Sequence, residues 1–396
     1  MLRAMHRRPL LISLAALPLG PLALADGVRP RPLQFPADFG AHPETRTEWW
    51  YATGTLQIDA TAAADAPPPF GFQITFFRSR TGVPAAHPSR FAAGQLVFAH
   101  AAVTHLGQRR MRHDQRIARS GFGLAQADEG DTVVRLRGWR LQRSGPPEAS
   151  VYTAQVHSDG AGFGLALTLA TTQPVLLQGV AGFSRKGPAI EQASHYYTQP
   201  QLTVSGTLAL DGQTRAVRGR AWLDHEWSDA LLDPQAVGWD WIGMNLQDGS
   251  ALTAFRLRRA DGSSLYAGGS FRAADAGAGA TAGATAGATA GAAAGATSGA
   301  AASAALRNFG PDDVKFTPLR SWASPSSRAV YPIAWRIETP IGQYTIEALL
   351  DSQELDSRAS TGTVYWEGLS ALRDSSGRVV GHGYLEMTGY SGRPNL

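Results

Sequence analysis

The stretch Gly219-Arg220-Ala221-Trp222-Leu223-Asp224-His225-Glu226-Trp227-Ser228 determines how the rest of the chain is interpreted. In an extended conformation, Asp224 and Glu226 lie on the same side as Trp222, while His225 lies on the opposite side. Carboxyl groups are therefore interleaved with indole rings. A carboxyl group against such rings loses hydration, which favours its neutral acid form. The pattern predicts a proton donor; the alternative is that these acids only brace a barrel rim through hydrogen bonds.

Short runs of β-branched and aromatic residues recur from this stretch toward both ends of the chain. They are separated by Gly, Asp or Ser, and few windows show the 3.6-residue period of a helix. The predicted strands are 48–56, 70–77, 95–104, 132–142, 151–156, 163–170, 201–210, 217–224, 238–246, 251–258, 264–271, 333–338, 343–350, 362–373 and 379–388. Many short strands at this spacing predict an all-β fold of sandwich or barrel type.

The first 25 residues have the pattern of a secretory signal peptide. Arg3, Arg7 and Arg8 form a basic start, residues 10–24 are mostly apolar, and Ala23-Leu24-Ala25 matches a cleavage site. We therefore predict a periplasmic or secreted protein, exported by the general secretory route. Arg7-Arg8 leaves twin-arginine export open as an alternative.

The remaining chain divides near Asp233-Pro234. We predict an N-terminal domain over residues 26–232 and a C-terminal domain over residues 233–396. Residues 273–305 interrupt the second domain with a Gly/Ala-rich tract, which has little apolar surface to bury and is predicted to be a disordered insertion.

Composition excludes several chemistries. The sequence has no Cys, so disulfides, thiolate nucleophiles and Cys-ligated metals are ruled out. The net charge is +4, and the arginines are scattered without a basic, aromatic-interleaved run, so we expect no nucleic-acid partner. His195, His225 and Glu226 are the best candidates for metal ligands, but their spacing fits no standard metal motif and we predict no metal site.

Six motifs, taken together, resemble the AttH-like secreted proteins, which are related to the carotenoid 1,2-hydratases (hydroxyneurosporene synthases). The similarity extends over about residues 40–395. The motifs are Glu48-Trp49-Trp50-Tyr51-Ala52-Thr53-Gly54, His195-Tyr196-Tyr197, Ala221-Trp222-Leu223-Asp224-His225-Glu226-Trp227, Gly238-Trp239-Asp240-Trp241, Tyr365-Trp366-Glu367-Gly368 and Gly383-Tyr384-Leu385-Glu386-Met387-Thr388-Gly389-Tyr390.

The resemblance implies two tandem lipocalin-like (calycin-type) β-barrel domains, export, and no organic cofactor. Its better-defined relatives add water to a terminal isoprenoid double bond, whereas other members are labelled predicted secreted hydrolases. The group is also similar to fungal hydratases and cyclases that act on apolar, polyketide-like substrates. We therefore expect a hydrophobic small molecule, isoprenoid- or lipid-like, as the substrate.

Hydration of an alkene needs a proton donor, a wall that tolerates a carbocation, and a water molecule. From the acid–aromatic pattern and the resemblance we expect Asp224 to be the proton donor, with Glu226 as the second candidate and His225 orienting or recharging the acid. Aromatic faces attract a desolvated cation by ~2 kcal/mol or more. The expected substrate-binding residues are Glu48, Trp50, His195, Tyr197, Trp222, Trp227, Trp239 and Trp241.

Two other functions stay open at this point. A lipocalin-like barrel can carry a hydrophobic ligand through the periplasm without catalysis, beside an envelope transporter of the ABC type. Ester hydrolysis is a further alternative, although it needs an oxyanion site that the sequence does not indicate. The deciding geometry is whether Asp224, Glu226, His195 and Glu48 meet at one cavity, which we expect inside a hollow barrel.

Overall fold

The structure is a computed structural model that describes residues 27–58, 67–84, 86–230, 232–274 and 306–394. The expected signal peptide and most of the expected insertion lie outside these residues. The described chain confirms the all-β prediction, since its helical elements are two short 3₁₀ turns at Ala37–Phe39 and Pro147–Ala149. Within the described ranges, no helix has both the length and the apolarity needed to cross a membrane.

The first sheet contains thirteen strands in the described part of the chain. They are β1 (Thr47–Gln57), β2 (Phe70–Arg80), β3 (Gln95–His105), β4 (Arg110–Arg119), β5 (Ala125–Ala127), β6 (Val133–Leu136), β7 (Trp139–Ser144), β8 (Val151–Ser158), β9 (Phe163–Ala170), β10 (Leu176–Leu177), β11 (Phe183–Arg185), β12 (Ala193–Leu210) and β13 (Gln213–Ser228).

This sheet curls into a nearly closed barrel. Its order is β4-β3-β2-β1-β13-β12-β9-β8-β7-β6-β5, and β10 and β11 pair with β12. The two ends approach each other where β3 and β4 meet β5 and β6. The longest strands, β12 and β13, pair antiparallel, and a register shift between Gln199 and Leu202 marks a bulge at which β12 bends.

The second sheet has ten strands among the described residues, in the order β17-β16-β15-β14-β23-β22-β20-β19-β18, with β21 against β22. They are β14 (Gly238–Leu246), β15 (Ala251–Arg258), β16 (Ser264–Arg272), β17 (Leu306–Phe309), β18 (Lys315–Ala323), β19 (Val330–Thr339), β20 (Gly342–Ala348), β21 (Glu354–Asp356), β22 (Val364–Arg373) and β23 (Val379–Met387).

The interior of each barrel is filled by large side chains. Trp50, Phe76 and Trp227 are fully buried in the first, and Trp335 and Trp366 are fully buried in the second. Interiors packed in this way are as dense as organic crystals and leave little free volume. We expected the cavity inside a hollow barrel, but the packed interiors place the candidate cavity outside both barrels.

The two barrels pack against each other through their outer faces. Tyr51 from β1 and Trp222 from β13 form one apolar cluster with Trp241, Phe255 and other residues of the second sheet. The rings of Tyr51 and Trp241 meet edge to face, with centroids 5.4 Å apart. Strands at this junction are consequently buried on both faces, which explains why β14 and β22 contain almost continuous runs of buried residues.

Gly243 allows this junction to close. A Cβ atom at residue 243 would lie 2.3 Å from Cη2 of Trp241 and 3.0 Å from Cε2 of Trp222. We predict that Gly243→Ala lowers the free energy of unfolding by about 1–3 kcal/mol, because the indole rings must move. Urea denaturation measures the change. Gly160→Ala is the control, since a Cβ there meets nothing within 4 Å; equal losses in the two variants would contradict the prediction.

A candidate active site between the barrels

A cavity of about 270 Å³ lies between the outer faces of the two barrels. Its walls come from β1, β2, β3, β12 and β13 on one side and from β14, β15, β22 and β23 on the other. The aromatic part of the lining is Trp49, Tyr51, Phe77, Phe98, Tyr196, Trp239, Trp241, Phe255 and Tyr365. The cavity is therefore suited to an apolar ligand.

Asp224 is held at the wall of this cavity by three donors. The Tyr196 hydroxyl lies 2.8 Å from Oδ2, while the Thr198 hydroxyl and the Trp222 indole N–H donate to Oδ1 at 2.5 and 2.8 Å. Burial raises the pKa of Asp224 to about 7, against the effect of these hydrogen bonds, and the nearby Glu226 raises it further. Close to neutral pH, Asp224 therefore exists in both its acid and its ionised form.

Glu226 also lines the cavity but is paired. Its Oε1 lies 2.9 Å from Nζ of Lys186 and accepts a hydrogen bond from the Ser194 hydroxyl. Lys186 in turn lies over the rings of Tyr196 and Phe255, at 4.6 and 4.4 Å from their centroids. Glu226 is therefore part of a buried ion pair, whereas the contacts of Asp224 are with neutral donors.

Two further acids, which the sequence analysis did not select, face Asp224 from the second barrel. Glu386 on β23 accepts hydrogen bonds from Trp239 Nε1 at 3.0 Å and from Thr388 Oγ1 at 3.1 Å, and burial raises its pKa to about 7. Burial also raises the pKa of Glu367 on β22 well above its usual value. Both acids lie in aromatic motifs with the same alternation that identified Asp224, so the signal for them was present.

The cavity carboxyls influence one another. The charge of Glu226 raises the pKa of both Asp224 and Glu386, and the charge of Glu386 raises the pKa of Glu367. Like charges that share a site of low dielectric constant favour protonation of some of the members. The cavity therefore holds both proton donors and proton acceptors near neutral pH.

The neighbouring residue His225 faces the other way, into the first barrel. There Glu48 accepts hydrogen bonds from His225 Nε2 at 2.9 Å, His42 Nδ1 at 2.8 Å and Arg78 Nε at 2.7 Å. Burial opposes ionisation of Glu48, but the hydrogen bonds and charges of His225 and His42 outweigh it and lower the pKa of Glu48. Burial also lowers the pKa of His225 to about 4, so His225 is neutral, and its Nδ1 accepts from the Tyr197 hydroxyl at 3.1 Å.

The expected site residues thus separate into a group that lines the main cavity and a group inside the first barrel, with Trp222 as a separate case. Asp224, Glu226, Trp239 and Trp241 line the cavity between the barrels. Trp222 touches Asp224 and lines a second cavity of about 300 Å³ on its far side. The others lie on the inner side of the first barrel and do not line the main cavity, because each alternates with a cavity-facing neighbour: Glu48, Trp50, His195, Tyr197, His225 and Trp227.

Three residues inside the first barrel have the side-chain types and spacing of a possible metal site. His42, Glu48 and His225 place one ligand atom each within 4.8 Å of one another. Each ring nitrogen already has a protein partner, however: His42 Nε2 lies 3.0 Å from Asp38, and His225 Nδ1 contacts Tyr197. The Arg78 guanidinium also occupies the second oxygen of Glu48. The arrangement is therefore explained as a hydrogen-bonded charge network.

Two barrels that enclose an acidic, aromatic cavity between their outer faces define the chain as a tandem lipocalin-like protein. The AttH-like family model matches residues 26–288 and 284–390. The chain belongs to the AttH-like family.

Solved structures agree with this assignment. A candidate AttH from Nitrosomonas europaea is 42% identical, with the alignment covering 92% of this chain and 98% of that one at a TM-score of 0.76. Kievitone hydratase from Nectria haematococca shares the fold at 14% identity, with 88% and 90% covered and a TM-score of 0.59. No curated protein matches the chain significantly.

We predict that Glu48→Gln lowers the free energy of unfolding by about 3–5 kcal/mol, because it removes the negative partner of a buried Arg78. Chemical denaturation at neutral pH measures the loss. The exposed neighbour provides the control: Glu44→Gln should change stability by less than about 0.5 kcal/mol. A loss below about 1 kcal/mol for Glu48→Gln would show that the network is not structural.

The raised pKa of Asp224 predicts a pH-dependent stability. Its carboxyl titrates at about 7 in the folded chain against 3.8 as the reference value. Between these values the folded state retains a proton that the unfolded state has released, so the free energy of unfolding falls as pH rises. Asp224→Asn should remove up to about 4 kcal/mol of this fall. Urea midpoints from pH 4 to 8 test it; curves parallel to those of the exposed control Asp312→Asn would refute it.

Proposed function

We propose that the protein binds a hydrophobic small molecule between its barrels and adds water to a carbon–carbon double bond of that molecule. The observation that carries this proposal is a buried carboxyl group, Asp224, whose pKa is about 7 and which lines an aromatic cavity. A general acid works best when its pKa lies near the operating pH. The ligand class follows from the apolar walls, and an isoprenoid- or lipid-like compound is the substrate that we infer.

Asp224 gives its proton to one alkene carbon, forming a C–H bond as the π electrons leave the other carbon. The carbocation that results is stabilised by the faces of Trp239 and Trp241. The oxygen of a water molecule then bonds to this carbon, and the Glu386 carboxylate on the opposite wall takes the released proton. Return of a proton from Glu386 to Asp224 completes the cycle, and both carboxyls have a pKa of about 7, which favours exchange of a proton between them.

The same residues explain why the intermediate is tolerated. Carboxyls that are ionised part of the time favour a positive charge in their midst, and the indole walls exclude competing nucleophiles. Kievitone hydratase, which shares the fold, is named for a hydration reaction, and this supports the proposed reaction class. The basic, apolar and small-residue sequence of the first 25 residues supports a periplasmic or secreted location.

A second function has one observation in its favour. Asp224 already accepts three hydrogen bonds, which is what a structural carboxyl group does. In that case the protein carries a hydrophobic ligand through the periplasm without changing it. The partner that we propose for such a carrier is an envelope transporter of the ABC type.

A hydration assay on the wild-type protein separates the two functions, and Asp224→Asn tests whether Asp224 is the acid. Asparagine keeps the shape of the side chain but has no acid proton, so hydration should fall by about 10²–10⁴-fold while ligand binding persists. Purified protein is incubated with a bacterial envelope lipid and isoprenoid extract, and native mass spectrometry reports whether the bound ligand gains the mass of one water.

Three variants make the result interpretable. Asp312→Asn, which changes an exposed acid, should hydrate at the wild-type rate, and Glu386→Gln should be impaired because it lacks the base. A wild-type protein that returns its ligand unchanged in mass would reject the hydratase and leave the carrier function. Normal turnover by Asp224→Asn would reject Asp224 as the acid.

A further inference from the structure

Glu367 is a buried acid of the cavity wall that the proposed reaction does not use. Only 2% of its surface is exposed. Its Oε2 accepts a hydrogen bond from Gln73 Nε2 at 2.8 Å. Its Oε1, however, has no well-formed hydrogen bond among the described residues, and neither does the hydroxyl of Tyr51, which also lines the cavity. A buried polar atom without a partner destabilises the fold, so its position in a cavity wall points to a ligand that supplies the partner.

The neighbouring side chains Ser360, His100 and Tyr365 already have other hydrogen-bond partners. The Ser360 hydroxyl donates to Gln115 at 2.7 Å, so it accepts from His100 Nε2 at 2.9 Å. Burial lowers the pKa of His100 to about 3, which keeps the ring neutral with one proton, on Nε2. His100 Nδ1 is therefore an acceptor, and the Tyr365 hydroxyl donates to it at 2.8 Å.

These hydrogen bonds determine which donors remain available to Glu367. Because Tyr365 donates to His100, it is not a donor to the carboxyl group. Gln73 Nε2 donates to Tyr365 at 3.1 Å as well as to Oε2 of Glu367. Tyr51 is the remaining neighbour. A weak interaction between its hydroxyl and the Glu367 carboxyl lowers the pKa of Glu367 and helps to raise that of Tyr51, but the two groups do not reach ordinary hydrogen-bond geometry.

Burial and the charge of Glu386 both raise the pKa of Glu367 well above its usual value. Both effects favour the neutral acid form of Glu367, in which its carboxyl group is also a donor. Since Oε2 accepts the amide proton of Gln73, the acid proton resides on Oε1. The wall thus presents two O–H donors side by side, from Glu367 and from Tyr51.

We propose that Glu367 and Tyr51 form a polar anchor that binds the carbonyl oxygen of an otherwise apolar ligand. A carbonyl oxygen has two lone pairs and accepts from both O–H groups, whereas an amine lacks this capacity and a carboxylate is repelled by the other acids of the cavity. The ligand class that we assign to this anchor is a hydrophobic ketone or ester. This inference deepens the proposed function, on which it rests for the use of the cavity.

The test compares two ligands of one skeleton: the terpenoid ketone geranylacetone and the hydrocarbon in which its carbonyl group is replaced by methylene. Binding is followed by quenching of tryptophan fluorescence, since Trp239 and Trp241 line the cavity. The measured quantity is the ratio of the two dissociation constants. Relative to wild type, Glu367→Met should shift this ratio against the ketone by roughly tenfold, because the variant keeps the size and loses the donor.

Glu367→Gln is the matched control. Its amide oxygen accepts from Gln73 and its NH₂ group still donates, so the ketone preference should stay within about threefold of wild type. Tyr51→Phe removes the second donor while keeping the ring and should shift the ratio in the same direction as Glu367→Met. It also serves as the test if Glu367→Met does not fold, as judged by its thermal unfolding transition.

The proposal is overturned if neither Glu367→Met nor Tyr51→Phe changes the ratio, if Glu367→Gln loses the preference as fully as Glu367→Met, or if wild type binds neither compound. Its failure is distinct from that of the hydratase. If wild type hydrates a ligand but the variants do not change the ratio, only the anchor is rejected. If the variants reduce a ketone preference but wild type hydrates no ligand, only the hydratase is rejected.

Discussion

The contact between the outer faces of the two barrels is the constraint on which the rest of the structure depends. Most small barrels present their outer face to water, but here Tyr51, Trp222 and Trp241 bury part of it. The strands at the junction are therefore dry on both sides. Any carboxyl group on them loses hydration, whichever face it occupies, and must be neutralised by a partner or by a proton.

Strand β13 shows both solutions at adjacent positions. On its inner side, His225 joins a network in which Glu48 stays ionised because Arg78 and two histidines surround it. On its outer side, Asp224 has only neutral donors, and burial raises its pKa to about 7. Consecutive residues of one strand thus have opposite electrostatic environments, because the pleat directs His225 into the first barrel and Asp224 into the cavity between the barrels. The inner network stabilises the fold, and the outer acid is available for chemistry.

The charge balance of the cavity fits its proposed use. Asp224, Glu226, Glu367 and Glu386 face one buried lysine, Lys186, which pairs with Glu226. The other three carboxyls have raised pKa values, so protons take the place of counterions. A site of this kind can release a proton to a ligand, stabilise a positive charge within aromatic walls and recover the proton afterwards, without a large change in net charge at any step.

The sequence by itself determined the all-β class, many of the strands and the family. Strands over 238–246 and 251–258 were predicted with the bounds that β14 and β15 have, because the turn signals Asp248-Gly249 and Asp261-Gly262 follow them. Strand β4, with the polar sequence Arg110–Arg119, was not predicted, since it is only half-buried and lacks a clear apolar alternation. The alternation around Asp224 also predicted correctly which of its neighbours share a face.

Only the tertiary structure decided where those faces point. Alternation says that Asp224 and His225 lie on opposite sides of a strand, but not which side is the barrel interior and which is the cavity. Glu48 and His195 were expected at the same cavity as Asp224, but they lie on the inner side of the first barrel. Glu386 and Glu367 are more than 140 residues from Asp224 in the chain. They join its cavity because the second barrel packs on the first, a long-range contact that no local pattern encodes.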